Sequence, residues 1–198
     1  KYTCSSEKLV KPLANSDPKA LWIGFFDYIP RWKKNSVIKY ATSSHGYPSL
    51  GYAAYAATQL RLAAEEWNDV TGVPVKFEWV GDLDEAAFVL QYGGDKGTVL
   101  AEAFFPDEKP LNILYVYKGS FQPTMLPMLR NIFLHELGHV LGLRHEFANQ
   151  EGGAEGGAVK WGKSNPDSVM SYVFPPTIQD SDKTDLVAFY EFSGSKIG

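Results

Sequence analysis

Apolar residues in the first half of the chain fall into short runs separated by polar and glycine-containing breaks, with one long stretch at helical spacing. Val37-Ile38-Lys39-Tyr40-Ala41-Thr42 is rich in β-branched residues and predicts a strand. After a turn around Gly46-Tyr47-Pro48, Ser49 is a candidate N-cap for a helix over about 50–70. There Ala53, Ala56, Ala57, Leu60, Ala64 and Trp67 recur at spacings of three and four, and Gly72 provides the stop. Val75 to Val80 alternates faces as a strand. Ala87 to Tyr92, Val99 to Phe105 and Ile113 to Tyr117 are further strand candidates, giving the order β-α-β-β-β-β. A second helix is expected over about 124–141 with Pro127 in its first turn, where a missing N–H costs little. Its core side would be Leu126, Leu129, Phe133, Leu137, Val140 and Leu141. A third helix starts near Asp182, with Asp182 and Asp185 favourable at its positive end. The class is α+β.

Residues 1–20 lack periodicity and read as an arm leading into the aromatic-rich run Leu21 to Phe26, and Glu151 to Ala158 carries too much glycine for helix or strand. At 198 residues, 44% apolar and 21% charged, the chain suits one globular domain over 1–198, or two closely packed halves around a cleft. A net charge of -4 without a basic stripe argues against nucleic acid as a partner, and no run is long enough to span a bilayer. Cys4, the single cysteine, cannot form an internal disulfide. A start at Lys1, without Met or an apolar leader, is the pattern of a processed or trimmed product.

Three of the four histidines fall within the eleven residues His135-Glu136-Leu137-Gly138-His139-Val140-Leu141-Gly142-Leu143-Arg144-His145. On a helix, His135 and His139 lie one turn apart on one face, so both imidazoles can reach one metal ion. Zinc takes such nitrogens at about 2.0–2.1 Å, and a catalytic site keeps three protein ligands and an open position for water. Gly142 is spaced to end the helix in a left-handed conformation and return His145 to the same ion. Glu136, beside the ligands, suits a general base. The competing reading, histidines satisfied only by hydrogen bonds, is weakened by the added Gly142 and His145.

The run resembles the metzincin metallopeptidases, whose pattern H-E-x-x-H-x-x-G-x-x-H it matches without departure. Ser168-Val169-Met170-Ser171-Tyr172 looks like the methionine turn of that family, which would set Met170 beneath the metal without binding it. Tyr172 resembles the tyrosine of astacin-like and serralysin-like members, which binds zinc or swings away. Glu146 is similar to a buried glutamate of astacins, with a solvated surface carboxylate as the other reading. Pro30-Arg31-Trp32-Lys33-Lys34, Val99 to Phe104 and the Asp185-Leu186 helix look more like matrixins. Glu102, however, stands where matrixins commonly place a histidine for a second zinc, so one catalytic zinc is expected. For calcium, Asp82, Asp84 and Glu85 are loop carboxylates whose preferred reading is a solvated turn.

The fold this resemblance implies is a zincin-like catalytic domain with a twisted, mostly parallel sheet, an antiparallel edge strand, an active-site helix and a C-terminal helix. Its cleft would lie between an upper part over about 21–142 and a lower part over about 143–198. The implied activity is zinc-dependent endopeptidase, with His135, His139, His145 and Tyr172 as metal ligands and Glu136 and Tyr172 as catalytic groups. An extended protein or peptide substrate would pair with the edge strand at Leu100, Ala101, Glu102 and Ala103, and Phe174 and Pro175 would wall the pocket beyond the scissile bond. The family also implies secretion and a propeptide or protein inhibitor as a further partner; the chain itself is expected to be monomeric. Cys4 either fills the open zinc position in a latent zymogen form or is an unpaired thiol in a loose arm. The competing function is a zinc-binding inactive homologue acting as a binding or inhibitory module, against which the intact Glu136 argues.

Overall fold

The computed structural model describes residues 21–23, 29–146, 159–162 and 165–194. Cys4 with the rest of the N-terminal arm, and the glycine-rich segment 151–158, lie outside them. The elements in chain order are β1 (Leu21–Ile23), β2 (Val37–Thr42), α1 (Leu50–Asn68), β3 (Lys76–Trp79), β4 (Phe88–Tyr92), β5 (Ala101–Glu102), β6 (Asn112–Val116), α2 (Leu129–Val140), β7 (Leu143–Arg144), β8 (Val159–Trp161) and α3 (Asp180–Glu191). The main sheet runs β3-β2-β4-β6-β5. Its first four strands are parallel, and β5 closes one edge antiparallel to β6. This is the mostly parallel α+β architecture expected from the sequence. The parallel pairing of β2 with β3 requires a crossover, which α1 provides.

Helix α1 starts where Ser49 Oγ accepts the Tyr52 N–H at 3.3 Å, and its small buried residues Ala56, Ala63 and Ala64 let it pack closely. Trp67, fully buried, crosses to α2 and donates from Nε1 to Leu134 O at 3.0 Å. Thus α1 supports the helix that carries His135 and His139.

Two elements differ from the sequence pattern. The α-helical part of α2 begins at Leu129 rather than near Thr124, and Pro127 lies in a preceding 3-10 turn, Leu126–Met128. The cause is local: Met125 N–H and Met128 N–H bond three residues back, to Gln122 O and Met125 O, and Met128 has φ -98 and ψ 7, outside the α basin. Strand β5 has two paired residues instead of seven, because Leu100 O is bonded by Tyr117 N–H and Ser120 Oγ while Phe104 turns inward onto Phe88.

A second sheet, β7-β1-β8, joins Ile23 to Leu143 and Val159 in antiparallel register, so the first strand pairs with strands that follow the site helix. The Pro30-Arg31-Trp32 segment clamps two helix ends. Arg31 Nη1 donates to Phe189 O (2.6 Å) and Phe192 O (2.8 Å) beside α3, and Trp32 Nε1 donates to Val140 O (2.7 Å) at the end of α2. Gly142 sits under this clamp at φ +100, where a Cβ would collide with Pro30 O, so glycine is required for both reasons. No helix among the described residues is long and apolar enough to cross a membrane.

Candidate metal centre

Helix α2 projects His135 and His139 from one face, and the Gly142 turn returns His145 to them. All three rings are buried. His135 Nδ1 lies 2.7 Å from Val169 O and His139 Nδ1 lies 2.8 Å from Leu143 O, so each Nδ1–H is donated to a carbonyl and each Nε2 keeps its lone pair. His145 Nε2 is 3.2 Å from His139 Nε2 and 3.1 Å from His135 Nε2. Burial, then the charge of His145, lowers His135 to about 3, and burial drives His139 well below the usual imidazole range. Neutral rings are the ligating form.

These residues fit zinc. Ligands about 2.0–2.1 Å from one tetrahedral ion lie about 3.3 Å from each other, close to the spacing seen. The lone pairs of His135 and His139 Nε2 face the third ring's Nε2, an arrangement that a shared cation satisfies. Among the described residues, this is the one group of three or more His, Cys, Asp or Glu side chains whose ligand atoms converge.

Glu136, next to His135, is fully buried. Below the histidines, Ser168 to Ser171 make a turn closed by Ser171 N–H to Ser168 O at 2.9 Å. Met170 is fully buried, with its sulfur against Gly138 of α2. Two acids hold this turn. Asp182 accepts from Ser168 Oγ (2.6 Å), Val169 N–H (2.9 Å) and Gln179 N–H (2.8 Å). Glu146 is buried rather than solvated; its carboxylate accepts Asn165 N–H at 2.9 Å and its own N–H bonds Met170 O at 3.0 Å. Burial raises the Asp182 carboxyl against the pull of its three donors.

The Tyr172 ring lies tilted against His145 with centroids 5.1 Å apart and is 44% exposed, so it borders the cluster from the solvent side. Phe174 is half-buried and Pro175 exposed, joined by a cis peptide; Asn131 Nδ2 donates to the next carbonyl, Pro176 O, at 2.9 Å. Leu100, Ala101 and Ala103 are buried and Glu102 half-buried along β5, which lies beside α2. Of the calcium candidates, Asp82 accepts Asp84 N–H at 3.0 Å and Glu85 pairs with Lys39 at 2.6 Å.

Similarity to known proteins agrees with this geometry. A family model described as Met-zincin matches residues 119–195, the span of the helix, the three histidines and the methionine turn. Residues 119–195 thus resemble the Met-zincin family. The chain is 28% identical over 139 residues to the metalloendoproteinase 1-MMP of Arabidopsis thaliana, 61% of this chain but 37% of that protein, so it spans little more than a third of that relative. Two structures of myroilysin share the fold. One has TM-score 0.60 at 13% identity, covering 83% of this chain and 97% of that one; the other has 0.55 at 14%, covering 94% and 90%.

Several residues around the histidine cluster escaped the sequence reading. Gly138 had a readable signal, since glycine inside a helix costs about 1 kcal/mol and so marks a close neighbour, here Met170. Phe105 packs edge-on against His139 with centroids 5.3 Å apart, and the buried Arg144 guanidinium lies 5.7 Å from the Phe105 ring. Neither has a spacing that marks it. Asp182 was expected at a helix terminus for its charge; it is also an anchor of the methionine turn.

Proposed function

We propose that this chain is a zinc-dependent endopeptidase that hydrolyses peptide bonds of extended protein or peptide segments, in one catalytic domain acting outside the cell. The observation that carries the reading is the convergence of the Nε2 atoms of three buried histidines, with the buried Glu136 next to His135 in the chain. His135, His139 and His145 would hold one zinc ion. When bound, zinc acidifies a water and polarises the scissile carbonyl.

Glu136 accepts the proton of the attacking water and returns it to the amine nitrogen as the C–N bond breaks, so one carboxylate is base and then acid. The burial of Glu136 limits competing solvent and strengthens its electrostatic coupling to the site. Tyr172, whose ring lies against His145, would be a further ligand of the zinc and, swung toward the substrate, a hydrogen-bond donor to the oxygen of the scissile carbonyl. The peptide backbone pairs with the outer side of β5, whose other side is taken by β6, and the segment at Phe174 and Pro175 walls the pocket beyond the cleaved bond.

The test is digestion of a mixed peptide library by the parent protein and by Glu136→Ala, with zinc measured in both. Cleavage by the parent, and a loss of about 10²–10⁴-fold in the variant at unchanged zinc content, is expected. Equal cleavage by both proteins, or none by the zinc-loaded parent, would end this reading.

A further inference from the structure

We infer that Lys96, Glu102 and Tyr117 form a polar latch that fixes edge strand β5, making them positioning residues for the extended substrate. This rests on the peptidase reading above for the identity of what pairs with β5. Lys96 Nζ donates to Glu102 Oε2 and, at 3.3 Å, to Tyr117 Oη, while the Tyr117 hydroxyl donates to the same Glu102 oxygen at 3.1 Å. Each of the three groups contacts the other two. Lys96 comes from the loop after β4, Glu102 from β5 and Tyr117 from the end of β6, so the cluster ties three segments at one point.

The strand needs such a tie. Its ladder has two positions, Ala101 opposite Val116 and Glu102 opposite Tyr115. Upstream, Leu100 O is held by Tyr117 N–H (2.9 Å) and Ser120 Oγ (2.7 Å). At Glu102 itself the side chain supplies the remaining restraint. The loop is braced for the purpose: Gly93 N–H bonds Val116 O at 2.9 Å, Lys118 N–H bonds Gly94 O at 2.8 Å, and Lys118 pairs with Asp95 at 3.0 Å. Gly93 lies against the Tyr117 ring, where a Cβ would collide with it, so this glycine allows the tyrosine into the cluster. Tyr115 stacks on Tyr117 at 5.9 Å and 21°, completing a rigid outer face beside the edge.

A strand of two residues that frays must be re-ordered each time a peptide adds to it, and that cost falls on binding. The histidines and Glu136 stand on other elements, so chemistry on bound peptide is unaffected. The ammonium and carboxylate are partly exposed, with side-chain exposures of 40% and 23%, so salt weakens the latch.

The experiment uses the zinc-loaded protein with Lys96→Met, which removes the charge at similar length, and Gly93→Ala, which keeps all three polar groups but displaces Tyr117. Steady-state kinetics on an extended peptide are read alongside hydrogen exchange at the Ala101 to Ala103 amides. Expected is a KM raised about five- to tenfold with kcat within about twofold, and faster exchange by a similar factor in both variants. High salt should move the parent toward the variants and leave Lys96→Met nearly unchanged. Unchanged exchange, or exchange that rises while KM does not, would overturn the inference. Absence of cleavage by the parent would defeat the peptidase reading instead, and exchange would still report whether the cluster fixes β5.

Discussion

Gly138→Ala offers a direct test of how α2 and the methionine turn support each other. By helix propensity alone the change stabilises by about 1 kcal/mol. The structure reverses the sign, because a Cβ at 138 would overlap the Met170 sulfur and come within 3.3 Å of its methyl and 3.7 Å of Trp67. Met170 cannot easily withdraw: it is fully buried, and its turn is tied by Asp182 at Val169 and by Glu146 at the Met170 carbonyl. Overpacking costs about 1–3 kcal/mol, and a tied, buried Met170 puts this case in the upper part of that range, so after the propensity gain the net loss is expected near 1–2 kcal/mol. Met170→Ala alone should cost about 2–5 kcal/mol through the void it leaves. The double variant, in which one methyl occupies part of the space given up by the other side chain, should be better than the sum by about 1 kcal/mol or more. Urea midpoints of the metal-free proteins measure this, and zinc titration should show weaker binding in Gly138→Ala, since His135 and His139 flank the substitution. A neutral or stabilising Gly138→Ala, or an additive pair, would refute the packing argument.

Asp185 is half-buried and raised to about 6, first by burial and then by Asp182. The folded state therefore holds a proton that the unfolded chain has lost between about pH 4 and 6, and stability falls as pH rises through that window. Asp185→Asn should stabilise by about 1 kcal/mol at pH 7.5, after allowance for solvent screening, with the gain gone below about pH 4; melting temperatures at both pH values decide it. Asp182→Ala removes the acceptor for three donors at the methionine turn, one of them the N–H of Val169, whose carbonyl orients His135. It should cost about 2–4 kcal/mol and weaken zinc binding about 10–100-fold, whereas Asp182→Asn, which keeps one acceptor, should lose less on both. Equal zinc affinities in chelator competition would count against this coupling.

The sequence made some of this legible because certain residues act at short range. Helical periodicity sets His135 and His139 on one face, and Gly142 has both the spacing and the conformational freedom to bring His145 back, so the cluster could be read without knowing the fold. The strands of the main sheet were visible through their β-branched and apolar runs. What stayed hidden depends on pairings distant in the chain. Strands β1, β7 and β8 are two or three residues long and exist only because they meet. The start of α2 was misplaced because Pro127 is equally suited to a first helical turn and to the 3-10 turn it occupies. Asp182 at a helix N-terminus satisfied a local rule so well that its second partner, the methionine turn, left no trace in the sequence.

The burial of polar groups around the histidines bears on what the cluster can hold. Among the described residues, the buried carboxylates are Glu136, Glu146 and Asp182, and the buried guanidinium is Arg144. All four lie on α2, on the segment after it, or against the methionine turn, around the three histidines. Outright burial of ions is costly unless each is balanced nearby. His135 and His139 are held neutral by burial, and each donates its Nδ1–H to a carbonyl, so Nε2 is the nitrogen left to coordinate. A proton taken up by either ring would occupy that lone pair, so the burial that keeps these rings neutral favours a metal cation over a proton at the point where they converge.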